Sequence, residues 1–377
     1  MNLSIDKELF EPALPLDQLE TPSVVIDLDI MEKNLNRMSE YCRAHGLALR
    51  PHTKTHKIPE LAHMQIQKGA CGVTVAKPGE AEVMFEGGVR DLLVAYPVFQ
   101  PAKAARLAEL AREANVCVSL DSDVAARGLS QAAAAAGVEI AVLVEVDVGL
   151  GRCGLPAGQP AVDLARLVAG LPGLRFKGLM FYPGHIRDLD GTHQSALAQL
   201  RGLLESLYQL FATQGLKLAV VSGGSTPTAL LSHQLRGVTE IRPGTYIFND
   251  TTTVYCGACA WEDCAVSVVT TVVSTAVQGR AIVDGGSKTF SSDLLRSGPA
   301  RGFGHVREDP DIYFEKMNEE HGYLDITRAS GRLKVGDRLR IIPNHVCTTV
   351  NMHNVVYGMK GGQVGCRWRV AARGLVQ

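Results

Sequence analysis

Two lysines and two histidines follow a short apolar run in Arg50-Pro51-His52-Thr53-Lys54-Thr55-His56-Lys57, directly after Leu47 to Leu49. In an α/β barrel the strand ends carry the chemistry. A lysine held in a partly dry site at such an end has its pKa depressed by burial, which frees the amine to attack a carbonyl and form a Schiff base. Lys54 is the first candidate and Lys57 the second. Lysines are mostly solvated, so residue type alone does not make Lys54 catalytic. The assignment depends on whether the other parts of a cofactor site are present.

Several are. Ser222-Gly223-Gly224-Ser225-Thr226 and Arg242-Pro243-Gly244-Thr245-Tyr246 each follow a strand-like run late in the alternation described below. Glycines there let backbone N–H groups approach an anion while hydroxyls add donors. Two such turns with a lysine at an early strand end point to a phosphorylated cofactor across a barrel mouth. Gly149-Leu150-Gly151-Arg152-Cys153-Gly154 would let Arg152 turn back over that mouth; an exposed surface arginine is the competing reading. In Pro343-Asn344-His345-Val346-Cys347, a strand would put His345 and Cys347 on one face, within reach of one ion. Imidazole with thiolate selects zinc over magnesium or calcium, and two protein ligands leave positions for water and substrate. A packed cysteine beside an unrelated histidine is the alternative, and His353 is not assigned as a ligand.

Strand-like runs at Ser23 to Leu28, Leu47 to Arg50, Gly72 to Val75, Leu92 to Tyr96, Val116 to Leu120, Ile140 to Val146, Phe176 to Phe181, Ala219 to Ser222 and Val238 to Arg242 alternate with helix-like stretches. Asp29 is positioned to cap the first helix, whose Ile30, Met31, Leu35 and Met38 recur at helical spacing. About eight strand-then-helix units predict a closed TIM-type (β/α)8 barrel, with an open doubly wound sheet as the alternative. From Ala265 onward short β-branched runs with Gly and Pro punctuation predict an all-β domain. The expected division is a barrel over 21–258 and a β domain over 259–377, with 1–20 packed on the latter.

The chain has 377 residues, 46% hydrophobic, with 38 basic and 39 acidic side chains and a net charge of -1, so nothing in it advertises nucleic acid or an anionic membrane. The first residues lack the basic-then-apolar order of a signal peptide, and no apolar stretch reaches spanning length. Nine cysteines, an odd number, fit reduced thiols in a cytoplasmic protein. Cys256, Cys259 and Cys264 begin like a zinc ribbon, but no second pair follows, and buried thiols are expected.

Thr21-Pro22-Ser23, Arg50 to Lys57, Gly151 to Gly154, Ser222 to Thr226, Pro243 to Tyr246 and His345-Val346-Cys347, taken in order, resemble the D-threonine aldolase and D-serine dehydratase family, a branch of the alanine-racemase-like, fold-type III pyridoxal phosphate enzymes. The resemblance implies a homodimer, pyridoxal phosphate and a divalent metal, zinc before manganese or magnesium, acting on a small D-amino acid with a β-hydroxyl. It implies Lys54 as the Schiff-base lysine and Arg152 as the partner that keeps the pyridine nitrogen unprotonated. Ser222, Gly223, Gly224, Ser225, Thr226, Gly244, Thr245 and Tyr246 then belong to the phosphate side of the cofactor, Tyr182 flanks it, and His345 with Cys347 hold the metal. Aldolases of the family carry His-x-Asp at the metal and dehydratases His-x-Cys, as here; aldolases also tend to read Tyr-His-Gly where this chain has Tyr182-Pro183-Gly184-His185. Dehydration to a 2-oxo acid and ammonia is therefore the expected reaction. Retro-aldol cleavage to glycine and an aldehyde, with His185 as a base on the hydroxyl, is the alternative. A racemase and a non-catalytic pyridoxal-phosphate-binding protein are further ones.

Overall fold

The structure, a computed structural model, describes residues 7–295, 302–329 and 331–377. Two compact units are formed. One holds Arg37–Lys54, Pro59–Gly244 and Gly374–Gln377; the other holds the residues up to Asn36, Thr55–Ile58 and Thr245–Arg373. Two of the five places where the chain passes from one to the other, the peptide bonds 54–55 and 244–245, fall inside motifs singled out above.

In chain order, β1 (Lys7–Pro15) and β2 (Ser23–Asp27) precede α1 (Leu28–Ala44). The helix begins at Leu28, and Asp27 Oδ1 accepts the amides of Asp29 and Ile30 at 3.1 Å, so Asp27 caps it and Asp29 does not. Either aspartate suits a cap by type; which one serves depends on where the preceding strand stops.

The first unit is built from β3 (Ala48–Leu49), α2 (Pro59–Gln67), β4 (Val73–Val75), α3 (Pro78–Glu86), β5 (Asp91–Val94), α4 (Pro101–Leu110), β6 (Asn115–Leu120), α5 (Asp123–Ala136), β7 (Ile140–Asp147), the short β8 (Leu155–Pro156), α6 (Gln159–Gly170), β9 (Leu174–Phe181), α7 (His193–Thr213), β10 (Val220–Gly223) and β11 (Glu240–Ile241). Strand order is β3-β11-β10-β9-β7-β6-β5-β4, parallel throughout, with β8 attached to β7 alone. A parallel bridge between His52 and Thr74 closes the ring, supported by the Thr74 amide donating to Pro51 O at 2.8 Å. The described residues thus form the expected (β/α)8 barrel.

Inside it, Leu93, Cys117, Ala141, Leu143 and Met180 make an apolar layer. Beside this layer, buried groups near the strand ends are polar. Arg50 Nε donates to Glu240 Oε2 at 2.7 Å, and the same guanidinium pairs with Asp91. Ser222 Oγ donates to Glu240 Oε1 at 2.6 Å and accepts from Arg242 Nη1 at 2.6 Å, while Arg242 Nη2 reaches Phe181 O at 2.8 Å. Charges taken out of water need partners of this quality, and here the partners tie together the ends of β3, β9, β10 and β11.

The second unit continues from α8 (Thr251–Tyr255) through β12 (Val266–Ser274), β13 (Arg280–Val283), α9 (Ser287–Phe290), β14 (Gly304–Val306), β15 (Tyr313–Met317), β16 (Gly322–Asp325), β17 (Arg338–Pro343), α10 (Val346–Met352), β18 (Val355–Lys360) and β19 (Gln363–Arg369). Among the described residues, β12-β13-β16-β15-β14-β17 returns to β12 as a closed ring, and β2, β18, β19 and β1 extend the sheet. β2 pairs antiparallel with β12 and parallel with β18. The chain's first apolar run, which read as the leading strand of the alternation, is therefore a strand of this sheet. Val24, Val25 and Ile26 are buried in sequence, and such a run has the same pattern in a barrel strand and in a strand covered on both faces. Among the described residues no helix is long and apolar enough to cross a membrane.

Candidate active site

Lys54 lies in the short helical turn Thr53–Thr55 that follows β3. Thr53 and Thr55 are buried, with Thr53 Oγ1 2.6 Å from Glu80 Oε1. Lys54 itself is exposed, which corrects the partly dry site expected for it. A turn at a strand end anchors its flanking residues and projects the one between them. Lys57 is the opposite case: it is buried, has φ 57°, and donates from Nζ to Ala372 O at 3.2 Å. That ammonium is used by the fold.

His52 shows what surrounds Lys54. Burial first, then the charges of Lys54, Arg242 and Arg152, hold its imidazole well below the ordinary value, although a bond to the Thr74 backbone works the other way. A neutral imidazole among three cations is a donor set suited to an anionic ligand. Arg152 lies over the Tyr182 ring, 4.7 Å from its centroid, and Gly184 closes on the same ring, where a Cβ would come within 2.3 Å. His185 is exposed and rests on Gly149, where a Cβ would meet its Cε1 and Nε2 at 3.3 Å.

Gly223 and Gly224 end β10 and begin the turn after it. Gly223 lies against the Phe181 ring, which a Cβ would meet at 2.1 Å, and Gly224 has φ +91°, a conformation side chains resist. Ser225 Oγ pairs with Thr228 Oγ1 at 3.0 Å, and Thr226 is half-buried. Ser222 stands apart from these: its buried hydroxyl is occupied by Glu240 and Arg242. Gly244 is the last residue of the Pro59–Gly244 stretch of this unit.

In the other unit, Thr245 and Tyr246 open a short helical turn, and Tyr246 is buried. His345 and Cys347 do not lie in a strand. β17 stops at Pro343, His345 is the N-cap of α10, and Cys347 is in its first turn. The sequence Val-Cys-Thr-Thr-Val-Asn-Met is a poor helix former. What stabilises it is Asp250, whose fully buried carboxylate caps α8 through Oδ1 (Thr253 amide, 2.9 Å) and serves α10 through Oδ2, which accepts from the Val346 amide at 3.1 Å and from His345 Nδ1 at 3.0 Å. With Nδ1 held by a carboxylate, Nε2 is the nitrogen presented to a metal, a common arrangement for ligating histidines. Cys347 Sγ lies 3.3 Å from Thr55 Oγ1 and 3.8 Å from Thr245 Oγ1. The Cys347 sulfur, with Asp250, holds the His345 imidazole well above its ordinary value against the opposing effect of burial.

These donors fit a borderline-soft cation at two positions. Among the described residues no group of three His, Cys, Asp or Glu side chains is arranged around one point. His353 bonds to Thr289 O at 3.0 Å, away from the pair. Cys256, Cys259 and Cys264 are in no disulfide, with Cys256 Sγ 3.2 Å from Thr253 O and Cys259 Sγ 3.5 Å from Thr253 Oγ1.

Sequence reasoning passed over Asp250 and named Arg242 only as the first residue of its motif. Asp250-Thr251-Thr252-Thr253 carries a local capping signal for α8, but its partnership with a histidine 95 positions later has no local trace.

A parallel barrel of this order together with an antiparallel β unit defines the alanine-racemase-like class, and the model of the alanine racemase N-terminal domain matches residues 26–252. A serine dehydratase domain model matches 265–359. The chain belongs to the D-threonine aldolase and D-serine dehydratase family. It is 34% identical over 369 residues to a D-threonine aldolase of Arthrobacter sp., covering 97% of this chain and 95% of that one. With a D-threo-3-hydroxyaspartate dehydratase of Delftia sp. it shares 37% over 354 residues, covering 88% and 92%. The crystal structure of a D-threonine aldolase from Filomicrobium marinum superposes with a TM-score of 0.91 at 34% identity, covering 98% and 99%.

Proposed function

We propose that the chain is a pyridoxal-phosphate- and divalent-metal-dependent lyase of D-3-hydroxy amino acids, dehydrating them to a 2-oxo acid and ammonia in the manner of a D-serine dehydratase. The observation that carries this is the contact of the Cys347 thiol with Thr55, the residue next in sequence to Lys54.

When bound, pyridoxal phosphate supplies an electron sink for the bonds at Cα, and the cation, zinc before manganese or magnesium, a Lewis acid for the β-hydroxyl. Lys54 would supply the amine that holds the cofactor aldehyde and would take the substrate Cα proton on Nζ. Arg152 would be the partner of the ring nitrogen, where its permanent charge would disfavour a proton. Gly223, Gly224, Ser225, Thr226, Gly244 and Thr245 offer donors to the phosphate, with Tyr246 beside Thr245. Ser222 acts on that cradle from beneath, through Arg242. Tyr182 flanks the ring. His345 and Cys347 hold the cation, and Asp250 fixes the imidazole that faces it. The chain acts as a soluble cytoplasmic homodimer organised as a barrel and a β domain.

Retro-aldol cleavage to glycine and an aldehyde is the second reading, favoured by the aldolase relatives; there His185 removes the hydroxyl proton. Purified protein incubated with D-serine, D-threonine and D-3-hydroxyaspartate, with and without a chelator, separates the readings. Keto acid that disappears on chelation supports dehydration, and glycine with an aldehyde supports the aldolase. Turnover that survives complete chelation points to a racemase, and no turnover of any substrate leaves a binding protein.

Asp250 carries its own test. Asp250→Asn removes the anion behind His345 and should weaken divalent-metal affinity by roughly 10–100-fold, measured by competition with a chromophoric chelator. An unchanged affinity would remove His345 from the ligand set.

A further inference from the structure

Asp147 ends β7 and is used by none of the steps above. Its Oδ1 accepts the amides of Gly149, Leu150 and Gly151 at 3.1, 3.0 and 3.1 Å, and Oδ2 takes a second bond from Gly151 at 3.2 Å. The turn it gathers has φ +121° at Gly149 and +68° at Gly151, both in the left-handed region that glycine alone enters freely. Beyond the turn, Asp121 Oδ2 accepts the Gly154 amide at 2.9 Å, and Gly154 lies so close to β7 that a Cβ would stand 2.4 Å from the Asp147 nitrogen. Between these two anchored ends only Arg152 and Cys153 remain. The turn also makes the surface on which His185 rests. Burial pushes the Asp147 carboxyl up, but the amides of Gly151, Gly149 and Leu150 outweigh it, with His185 adding to their effect, and leave it below its ordinary value.

We propose that Asp147 is the positioning residue for Arg152: by collecting the three amides of residues 149–151 it converts a glycine-rich turn into a fixed arm that keeps the guanidinium over Tyr182. The inference rests on Arg152 being the partner of the cofactor ring nitrogen. An anionic acceptor makes the stronger bonds to amides, which is why a carboxylate serves here and a bare turn would not. Arg152 is itself exposed and gains little from packing, so its orientation depends on the backbone that carries it.

The test compares Asp147→Ala, Asp147→Asn, Arg152→Ala and the Asp147→Ala/Arg152→Ala double variant, each reconstituted with pyridoxal phosphate, by cofactor absorbance, kcat and KM. Asp147→Ala should shift the absorbance in the direction Arg152→Ala does and lower kcat roughly 10²-fold, the scale of a misplacement of about 1 Å. The double variant should be no worse than Arg152→Ala alone. Asp147→Asn keeps an oxygen acceptor without the charge and should recover part of the loss. Losses that multiply in the double variant, or an Asp147→Ala protein with an unaltered spectrum beside a shifted Arg152→Ala one, overturn the proposal. If Arg152→Ala changes neither spectrum nor kcat, the assignment of Arg152 fails first and Asp147 falls with it. Should Asp147→Ala not fold, Gly149→Ala displaces the same turn without touching the charge, and it too should shift the absorbance; an unshifted spectrum there counts against the proposal.

Discussion

Replacing Lys54 with alanine should give a folded protein that forms no covalent cofactor adduct on borohydride reduction and turns over roughly 10⁴-fold more slowly, since one amine serves both as attachment point and as base. The fold should tolerate the change because Lys54 is exposed and the turn is held by the buried Thr53 and Thr55. Lys57→Ala is the informative partner. It keeps the adduct and loses instead the bond to Ala372 O, at a cost to stability of about 2 kcal/mol, the scale of a hydrogen bond from a charged donor. Mass spectrometry of the reduced proteins decides between them, and an adduct that survives in Lys54→Ala and vanishes in Lys57→Ala would reverse the assignment.

Arg50→Met should destabilise the barrel by roughly 3–5 kcal/mol, because it strands the Glu240 carboxylate in the interior without its cation. Glu240 is 4% exposed, so water cannot replace the guanidinium. Ser222 would still donate to Oε1, with Arg242 beyond that hydroxyl, but neither replaces the direct ion pair with Arg50. Against burial, Glu240 first and then Cys71 and Asp91 hold the Arg50 guanidinium above its ordinary value. At about 2–4 °C per kcal/mol the melting temperature should fall by roughly 10 °C, and Arg50→Met/Glu240→Gln should recover much of it by removing the orphaned anion. Calorimetry of the two variants checks this; a double variant no more stable than Arg50→Met would mean that the arginine acts by filling space. The same network reaches Ser222 and Arg242 beneath the glycine turn, so partial loss of cofactor affinity should accompany the loss of stability.

The strand-helix alternation of the barrel was legible because its period is local: Val116 to Leu120 reads as apolar and is β6, and Asp123 to Ala135 reads as helical and is α5. The glycine turns were legible for the same reason, since Gly224 and Gly149 advertise backbone conformations that side chains resist. Lys54 is proposed from type and place, but its exposure was not legible, because the extent of burial depends on what neighbouring turns leave open. The helix carrying Cys347 was hidden altogether. Its residues favour a strand, and its cap comes from Asp250.

By itself the sequence determined the family, the barrel, and which residue types stand at the strand ends, since periodicity and motif order are properties of the chain. Tertiary structure alone decided that β2 joins the antiparallel sheet, that Asp250 orients His345, and that Asp147 anchors the turn before Arg152. The reason is physical. A side chain's partner is set by where distant segments bring their donors, and a hydrogen bond leaves no spacing in the sequence when its two ends are 95 residues apart.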